Sequence, residues 1–321
     1  IKAGLPKSVE ATTLNKMCGS GMQAAIMGRS ALLAGDADII VAGGMESMSN
    51  APHLLPTHRS GMKYGHDVLK DHMAQDGLED AYEKKPMGVY ADMIAQEHQF
   101  TREQQDAYAL ETLARAQRAT KNGDFKREIT PVTMTTRKGD VVVDTDELPR
   151  RAMPDKIPSL RPAFGKDGTV TAANASGISD GAAALVLMRK SEAERRGLKP
   201  LARIVATAAH AHEPAYFTTA PVPAMRKAVE RAGWTIEDVD LWEINEAFAV
   251  VPMIAMKELG LSHDKVNVNG GACALGHPIG ASGARVIVTL IAALEKHGKT
   301  KGVASLCIGG GEATAVAIER L

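Results

Sequence analysis

Apolar and polar residues alternate along the chain with the two periodicities that helices and buried strands produce. Residues 18–35 have the spacing of a helix with Gly35 near its C-terminus, and residues 37–44 form a short apolar run that ends in glycines. The first pattern predicts a helix and the second predicts a short buried strand. Together they predict an αβ unit that belongs to a mostly parallel sheet.

A more polar segment follows from about residue 49, where Pro, Gly, His and charged residues are interspersed. Residues 88–122 are rich in Glu, Gln and Ala and predict one or two amphipathic helices. Residues 137–140 predict a turn that leads into an exposed strand at 141–143. Two interpretations fit that strand, a contact between subunits and an ordinary surface hairpin. We interpret the whole segment as an inserted subdomain that lies on the surface.

The pattern of a buried core returns near residue 171 and continues along the second half of the chain. The further predicted elements are strands at 182–188, 202–208, 240–244 and 302–311 and helices at 223–233, 246–260 and 276–297. The strand at 182–188 is expected to be buried. Each end of the chain has a Cys or His at a Gly-rich helix start, then a helix, then a strand that ends in glycines. This repetition predicts two related halves.

The composition excludes several classes of function. Lys and Arg number 38, and Asp and Glu also number 38, so the chain as a whole offers no electrostatic field for nucleic acid or a membrane surface. Apolar residues make up 45% of the 321 residues, which is enough for a large aliphatic core, and no apolar run is long enough to span a bilayer. The three cysteines are widely spaced, which argues against a disulfide framework and favours a reducing compartment.

Cys18 lies where the first predicted helix begins. A helix start presents unpaired backbone N–H groups, which lower the pKa of a thiol and favour the nucleophilic thiolate. Gly19 and Gly21 are expected to leave room beside the sulfur for a thioester substrate. The alternative is that Cys18 is a small buried apolar residue, as most free cysteines are.

Polar and nucleophilic residues also stand at the other strand ends and helix starts. His277 lies in a Gly-rich turn, Cys307 near the end of a strand, and Asn245 and Glu246 where a strand gives way to a helix, so we expect their polar groups to meet in one crevice. A thiol nucleophile, an activating base and a second acid/base are the parts that acyl transfer through a thioester needs. Structural explanations remain open, since His277 or Asn245 could cap a helix and Cys307 could be a core residue.

Five motifs occur in the order and with the residues that characterise one family. The motifs are NKMCGSG at 15–21, VAGGMESMS at 41–49, NEAFA at 245–249, NVNGG with GHPIGASG at 267–283 and CIGGG at 307–311. In these motifs the chain resembles the thiolases. The resemblance implies an α/β thiolase fold, five-layered αβαβα, that is built from two similar halves with an inserted loop domain covering coenzyme A. Family members have further strands and helices ahead of the first motif, so we expect that the beginning of the N-terminal half is absent here.

The resemblance also implies domain boundaries. The implied parts are residues 1–48 for the N-terminal half, 49–175 for the inserted loop domain, 176–200 for the return to the N-terminal half and 201–321 for the C-terminal half.

Catalytic roles follow from the resemblance, residue by residue. Cys18 is the implied acylated nucleophile, His277 activates it, and Cys307 moves a proton on or off the α-carbon of the acetyl unit. Asn245 holds a water that forms one oxyanion site with His277. The N–H groups of Cys18 and Gly309 form the other oxyanion site.

A second implied set of residues contacts coenzyme A or the acyl group. Ser176 and Phe164 match coenzyme A contacts of the loop domain, and Arg150 matches a nucleotide contact. The residues that match the pantetheine channel or acyl pocket are Leu78, Met87, Phe217, Ala247 and Phe248. Pro86 stands where short-chain acetoacetyl-CoA thiolases commonly have His, and this difference leaves the acyl-chain preference open.

We therefore predict an acetyl-CoA C-acyltransferase that makes or cleaves short- to medium-chain 3-ketoacyl-CoA through an acyl-cysteine, with acetyl-CoA acetyltransferase as the leading case. Coenzyme A and acyl-CoA are its substrates, and no metal or redox cofactor is expected. We expect a homodimer or homotetramer in the cytoplasm, with the mitochondrial matrix as the alternative, acting in fatty acid metabolism and β-oxidation. Two other functions remain open, a ketosynthase-like condensing enzyme and a non-catalytic acyl-CoA-binding protein on the same fold.

Overall fold

The computed structural model describes all residues 1–321 and contains nine α-helices and ten β-strands. The helices are α1 Ser20–Ala34, α2 Met87–Glu97, α3 Arg102–Asn122, α4 Leu148–Arg151, α5 Lys190–Arg195, α6 Pro221–Arg231, α7 Val250–Leu259, α8 Ala272–Leu275 and α9 Ile279–Lys296. The strands are β1 Ile39–Ser47, β2 His53–Leu54, β3 Lys70–Asp71, β4 Val132–Thr136, β5 Gly139–Val143, β6 Asp180–Met188, β7 Ala202–Ala211, β8 Leu241–Ile244, β9 Lys301–Ile308 and β10 Glu312–Arg320. None of the helices combines the length and the apolar character needed to cross a lipid bilayer.

Two main sheets organise the chain. β1 pairs with β6 in an antiparallel two-stranded sheet, and the other sheet has four strands in the order β7-β10-β9-β8. Only β8 and β9 run parallel, so the expectation of a mostly parallel sheet is wrong. The reason is the turn at Gly309–Gly311: it joins β9 directly to β10, and so short a connection can link only antiparallel strands.

The sheets and helices stack in layers. α1 and α9 lie between the two sheets, where Met22, Ile287 and Leu306 belong to one apolar cluster. A second and larger cluster, with Trp242 and Met225 among its members, lies on the opposite face of the four-stranded sheet under α2, α6 and α7. The predicted α/β class is confirmed, and the layers bring the ends of α1, α9 and β9 together.

α1 and α9 cross with their backbones almost in contact. A Cβ atom added at Gly283 would lie 2.3 Å from the backbone nitrogen of Met22, and one added at Gly21 would lie 2.7 Å from that of Ala284. Only glycine fits at such a crossing, because any side chain would push the helices apart. The crossing fixes the start of α9 relative to the turn that carries Cys18.

The chain between β1 and β6 leaves the first sheet and forms the predicted inserted segment. Two of its helices, α2 and α3, confirm the predicted pattern at 88–122. α3 begins with a capping box between Thr101 and Gln104 and ends at Gly123, which has left-handed backbone angles. β4 and β5 form an exposed hairpin, as predicted, and its role as a subunit contact stays a prediction.

Two predicted elements differ from the observed ones. β6 alternates between exposed and half-buried residues, so the expectation of a buried strand is wrong: one face of this two-stranded sheet is open to solvent. α7 begins at Val250 rather than at Glu246, because residues 245–249 stay extended and irregular and Phe248 forms a β-bridge with Ala175. Asn245 therefore lies in a loop.

Candidate active site

Cys18 lies in a tight turn ahead of α1. The turn is a single 3-10 unit, Met17–Gly19, and Met17 has a φ of 50°, in the left-handed region that residues with side chains rarely adopt. Two side chains hold it there: Asn15 Oδ1 accepts the Met17 N–H at 2.9 Å, and Ser20 Oγ donates to the Met17 carbonyl at 2.7 Å. Local strain of this kind, held by hydrogen bonds, presents Cys18 in a fixed position.

The glycines beside Cys18 serve packing rather than substrate. A Cβ atom at Gly19 would lie 2.4 Å from Cδ1 of Ile308, at the end of β9, and Gly21 faces α9. The expectation that these glycines leave room for a thioester is wrong, because protein atoms fill the space on both. Their small size instead lets the Cys18 turn lie directly against the end of β9.

Burial controls the Cys18 thiol. Removal from water raises the pKa of Cys18 to about 11, although the N–H groups of Gly309 and of Cys18 itself donate to the sulfur and lower it; the charge of Glu46 raises it further. The prediction that the helix start lowers this pKa is therefore wrong in direction. Cys18 rests as a thiol at neutral pH and needs a base to become a nucleophile.

Cys307 shares this site with Cys18. It is 1% exposed, next to the last residue of β9. Burial raises its pKa well above the usual value, and the charge of a Cys18 thiolate raises it further, which places the two sulfurs within electrostatic reach. The structure thus brings together two thiols that are 289 positions apart in the chain.

His277 precedes α9 and is 6% exposed. Its Nδ1 lies 2.5 Å from Ser282 Oγ, and that hydroxyl already donates its proton to the Pro278 carbonyl at 3.0 Å. Nδ1 must therefore be the donor, which leaves the lone pair of the neutral ring on Nε2. Burial and the charge of Arg285 lower the pKa of His277 to about 3, so the imidazole is neutral at physiological pH and able to accept a proton.

Asn245 lies beside His277. Its Nδ2 is 3.5 Å from both ring nitrogens of His277, and its backbone N–H donates to the Ser305 carbonyl on β9 at 3.0 Å. Neither residue caps a helix: α9 has Pro278 at its N-cap position, and Asn245 stands well ahead of α7. The helix-cap explanations for both residues are wrong.

Glu246 points away from this crevice, contrary to expectation. Its carboxylate is fully buried and accepts hydrogen bonds from Tyr108 and Thr112 of α3 at 2.8 and 2.9 Å. Asn267 and the backbone N–H of Cys273 donate at 2.8 and 3.0 Å. A buried carboxylate with this many donors is stable, and it ties the inserted segment to the C-terminal half.

Three of the implied substrate-contacting residues are phenylalanines that pack into an aromatic wall. The Phe248 ring lies edge-to-face between Phe164 at 6.2 Å and Phe217 at 6.3 Å, measured between ring centroids. Next to this aromatic wall, the Ser176 N–H donates to the Ala247 carbonyl at 3.0 Å.

Met87 approaches the end of β9. Its sulfur lies 3.5 Å from where a Cβ atom would stand on Gly309. Leu78 is half-buried at the end of the π-helical turn Ala74–Leu78, and Arg150 is exposed on α4. Their assignment as contacts of the pantetheine channel and of the nucleotide stays a prediction.

One cavity borders the turn that carries Cys18 without reaching the thiols. It has a volume of about 730 Å³ and is lined mainly by residues 12–17, 43–48 and 72–77, with none of Cys18, Asn245, His277 or Cys307 on its wall. The chemistry is therefore located by the convergence of side chains and not by the size of a cavity. Sequence reasoning missed Arg285 altogether, although a basic residue on the motif helix α9 is the signal that could have pointed to it.

Comparison with known proteins gives a single result. The family model described as "Thiolase, N-terminal domain" matches residues 1–191, and the one described as "Thiolase, C-terminal domain" matches residues 198–320. An acetyl-CoA acetyltransferase of Chromobacterium violaceum is 54% identical and is matched over 100% of this chain and 82% of its own length.

Solved structures agree. A thiolase from Ascaris suum in complex with coenzyme A has a TM-score of 0.94 at 46% identity, covering 100% of this chain and 82% of the other. The acetyl-CoA acetyltransferase of Bacillus anthracis has a TM-score of 0.96 at 43% identity, covering 100% and 81%. With both family models matched in order along nearly its whole length, this chain belongs to the thiolase family.

Proposed function

We propose that this thiolase acts as an acetyl-CoA acetyltransferase, which joins two acetyl units or cleaves acetoacetyl-CoA. The observation that carries the proposal is the convergence of two thiols with different burial: Cys18 is half-buried in a turn whose Gly19 packs against Ile308, and Cys307, beside Ile308, is 1% exposed. The acetyl-CoA acetyltransferases of Chromobacterium violaceum and Bacillus anthracis support the choice of substrate.

Acyl transfer begins at Cys18. Since the Cys18 thiol and the His277 ring are both uncharged at neutral pH, the proton moves to Nε2 of His277 as the sulfur attacks the thioester carbonyl. The C–S bond to coenzyme A breaks, and the departing thiolate takes the proton from His277. The N–H groups of Cys18 and Gly309, which now face the sulfur, are the donors for the carbonyl oxygen of the acyl-cysteine.

Carbon–carbon bond formation uses Cys307. The raised pKa of this thiol suits a base that must remove a proton from carbon, because a more basic thiolate is a stronger proton acceptor. His277, neutral again once coenzyme A has left, takes the proton of the Cys307 thiol, and the Cys307 thiolate removes the α-proton of acetyl-CoA. The resulting enolate attacks the acetyl group on Cys18, and the departing Cys18 thiolate takes the proton back from His277. While it carries that proton, His277 donates from Nε2 to the enolate oxygen, and Asn245 Nδ2, 3.5 Å from the His277 ring nitrogens, is the second proposed donor. Thiolysis runs through the same steps in reverse, with Cys307 protonating the departing enolate.

The remaining parts of the proposal concern size, cofactors and setting. Phe217 and Phe248 belong to the same apolar cluster as Cys307, and Met87 lies against Gly309, which supports a short acyl chain. Acid–base and nucleophilic steps account for every bond change, so we propose no metal or redox cofactor.

Three free cysteines support a reducing compartment, for which we propose the cytoplasm. We also propose a role in β-oxidation or its reverse. The exposed hairpin of β4 and β5 supports assembly into a homodimer or homotetramer.

Replacement of the nucleophile tests this function. Thiolysis is measured as the decrease in the absorbance of acetoacetyl-CoA. We expect Cys18→Ser to abolish it, because a serine hydroxyl is far less acidic than a thiol and His277 cannot activate it. Cys273→Ser is the matched control: this third cysteine is half-buried like Cys18, but its sulfur contacts the Glu246 carbonyl rather than the thiols, so thiolysis should persist. Undiminished thiolysis in Cys18→Ser would overturn the proposal.

A further inference from the structure

Arg285 lies between the buried carboxyl of Glu243 and the amide of Asn245, which stands beside His277. It lies on α9, where its side chain is 20% exposed. Its Nη2 donates to Asn245 Oδ1 at 3.4 Å, and its Nη1 lies 3.8 Å from an oxygen of Glu243. Glu243 and Asn245 are two positions apart on and just after β8, so their side chains leave the strand on the same face, toward α9.

The contact with Glu243 is weak as an ion pair. Arg285 Nη1 and Glu243 Oε1 are both buried and have no hydrogen-bond partner. Burial raises the pKa of Glu243 to about 8 in spite of the guanidinium. A buried pair without hydrogen bonds does little for stability. Packing against Glu243 therefore does not explain why an arginine stands here.

Several acidic groups lie within electrostatic reach of the guanidinium. Burial raises the pKa of Glu128 to about 7, and the charge of Arg285 opposes that rise. Asp146, an exposed residue, also feels the guanidinium, and Glu246 acts on Glu243. His277 is also within reach, and the charge of Arg285 helps burial to keep its ring neutral by lowering its pKa.

The amide of Asn245 is oriented by this contact. A guanidinium offers only donors, so the amide must turn its oxygen toward Arg285 and its NH₂ group toward His277. Without Arg285, only the long 3.5 Å contact between Nδ2 and the His277 ring would distinguish the two ends of the amide. With the NH₂ group inward, Asn245 presents a donor to an oxyanion; with the oxygen inward, it would present a lone pair and repel that charge.

We propose that Arg285 is a positioning residue, which acts through Asn245 by fixing the amide with its donor side toward the reacting oxygen. The inference deepens the proposed function and rests on it. It assigns to Arg285 a role in the rate of the chemical step and not in the binding of coenzyme A, so kcat should fall while KM changes little.

Two substitutions of Arg285 test the role. For Arg285→Gln we expect kcat for thiolysis to fall about 10-fold, less than the ~100-fold loss typical of removing an oxyanion donor itself. The acid limb of the pH profile should also move to higher pH, because one of the two causes of the low His277 pKa is gone. Arg285→Lys should lose rate but keep the acid limb, since it keeps the charge without the planar fork.

A double-mutant cycle separates positioning from a structural role. Asn245→Ala removes the group through which Arg285 acts, so adding Arg285→Gln to it should cost no further rate. Arg29→Gln is the matched control, because Arg29 is a half-buried arginine in the same helical layer that donates to the Ile204 and Val205 carbonyls, away from the site. Its effect should be small and additive with that of Asn245→Ala.

The outcomes distinguish this inference from the proposed function. If the wild type is active, two results would overturn the positioning role alone. One is that Arg285→Gln and Asn245→Ala lower kcat additively. The other is that Arg285→Gln leaves kcat and the acid limb of the pH profile unchanged. A wild type without thiolysis would overturn the proposed function. Equal thermal midpoints of Arg285→Gln and Arg29→Gln exclude loss of folding as the cause.

Discussion

At the scale of single residues, Cys18 shows how burial and hydrogen bonding compete. Two N–H donors stabilise its thiolate, yet removal from water costs the charged form more, and the pKa stands at about 11. His277 shows the same effect with the opposite charge, since burial disfavours the imidazolium. The resting site therefore consists of uncharged groups, and charge develops only as the thioester reacts.

Alkylation kinetics test this protonation state. As long as the pH is below the pKa of about 11, each rise of one pH unit increases the thiolate fraction about 10-fold. The rate of Cys18 alkylation by iodoacetamide should therefore still be rising between pH 9 and 10. The variant Cys307→Ser removes the neighbouring thiol, and peptide mass analysis assigns the adduct. A rate that levels off near pH 8 would show that the thiolate is stabilised at rest.

At the scale of elements, the crossing of α1 and α9 determines the geometry of the site. Gly21 and Gly283 let the helices touch, and Gly19 lets the Cys18 turn reach the end of β9. A displacement of one helix would move Cys18 relative to Cys307 without changing either residue. Catalysis at this site is therefore sensitive to the distance between two helices.

Gly283→Ala tests that dependence. An alanine gains about 1 kcal/mol of helix propensity over glycine. Its Cβ would lie 2.3 Å from the Met22 backbone nitrogen, and overpacking against backbone costs about 1–3 kcal/mol. We expect a net loss of stability in urea unfolding and a larger proportional loss of kcat. Ser30→Ala on the exposed face of α1 is the control, and equal behaviour of the two variants would contradict the account.

At the scale of the whole molecule, the sequence predicted what short stretches determine. Residue periodicity placed α2, α3 and the hairpin of β4 and β5, and ordered motifs indicated the family. The directions of strands, the packing of Gly19 and the pKa of Cys18 were predicted wrongly, because each depends on what a distant segment contributes. Arg285 was missed for the same reason: its partners Glu243 and Asn245 lie on another element.

The whole molecule also explains why no single half suffices. Cys18 comes from the N-terminal half, whereas Asn245, His277 and Cys307 come from the C-terminal half. The Glu246 cluster and the bridge between Ala175 and Phe248 join the inserted segment to the second half. The site forms only when all of these parts pack together, so the chemistry is a property of the complete fold.

The measurement that tests the account most directly is the location of the acetyl group after incubation with acetyl-CoA. Acid-quenched protein, analysed by intact and peptide mass, should carry one acetyl group on Cys18, both in the wild type and in Cys307→Ala. The same Cys307→Ala protein should fail to form acetoacetyl-CoA, because no base remains for the α-carbon. Folded protein that gains no acetyl group, or that carries it on Cys307 or Cys273, would contradict the division of labour between the two thiols.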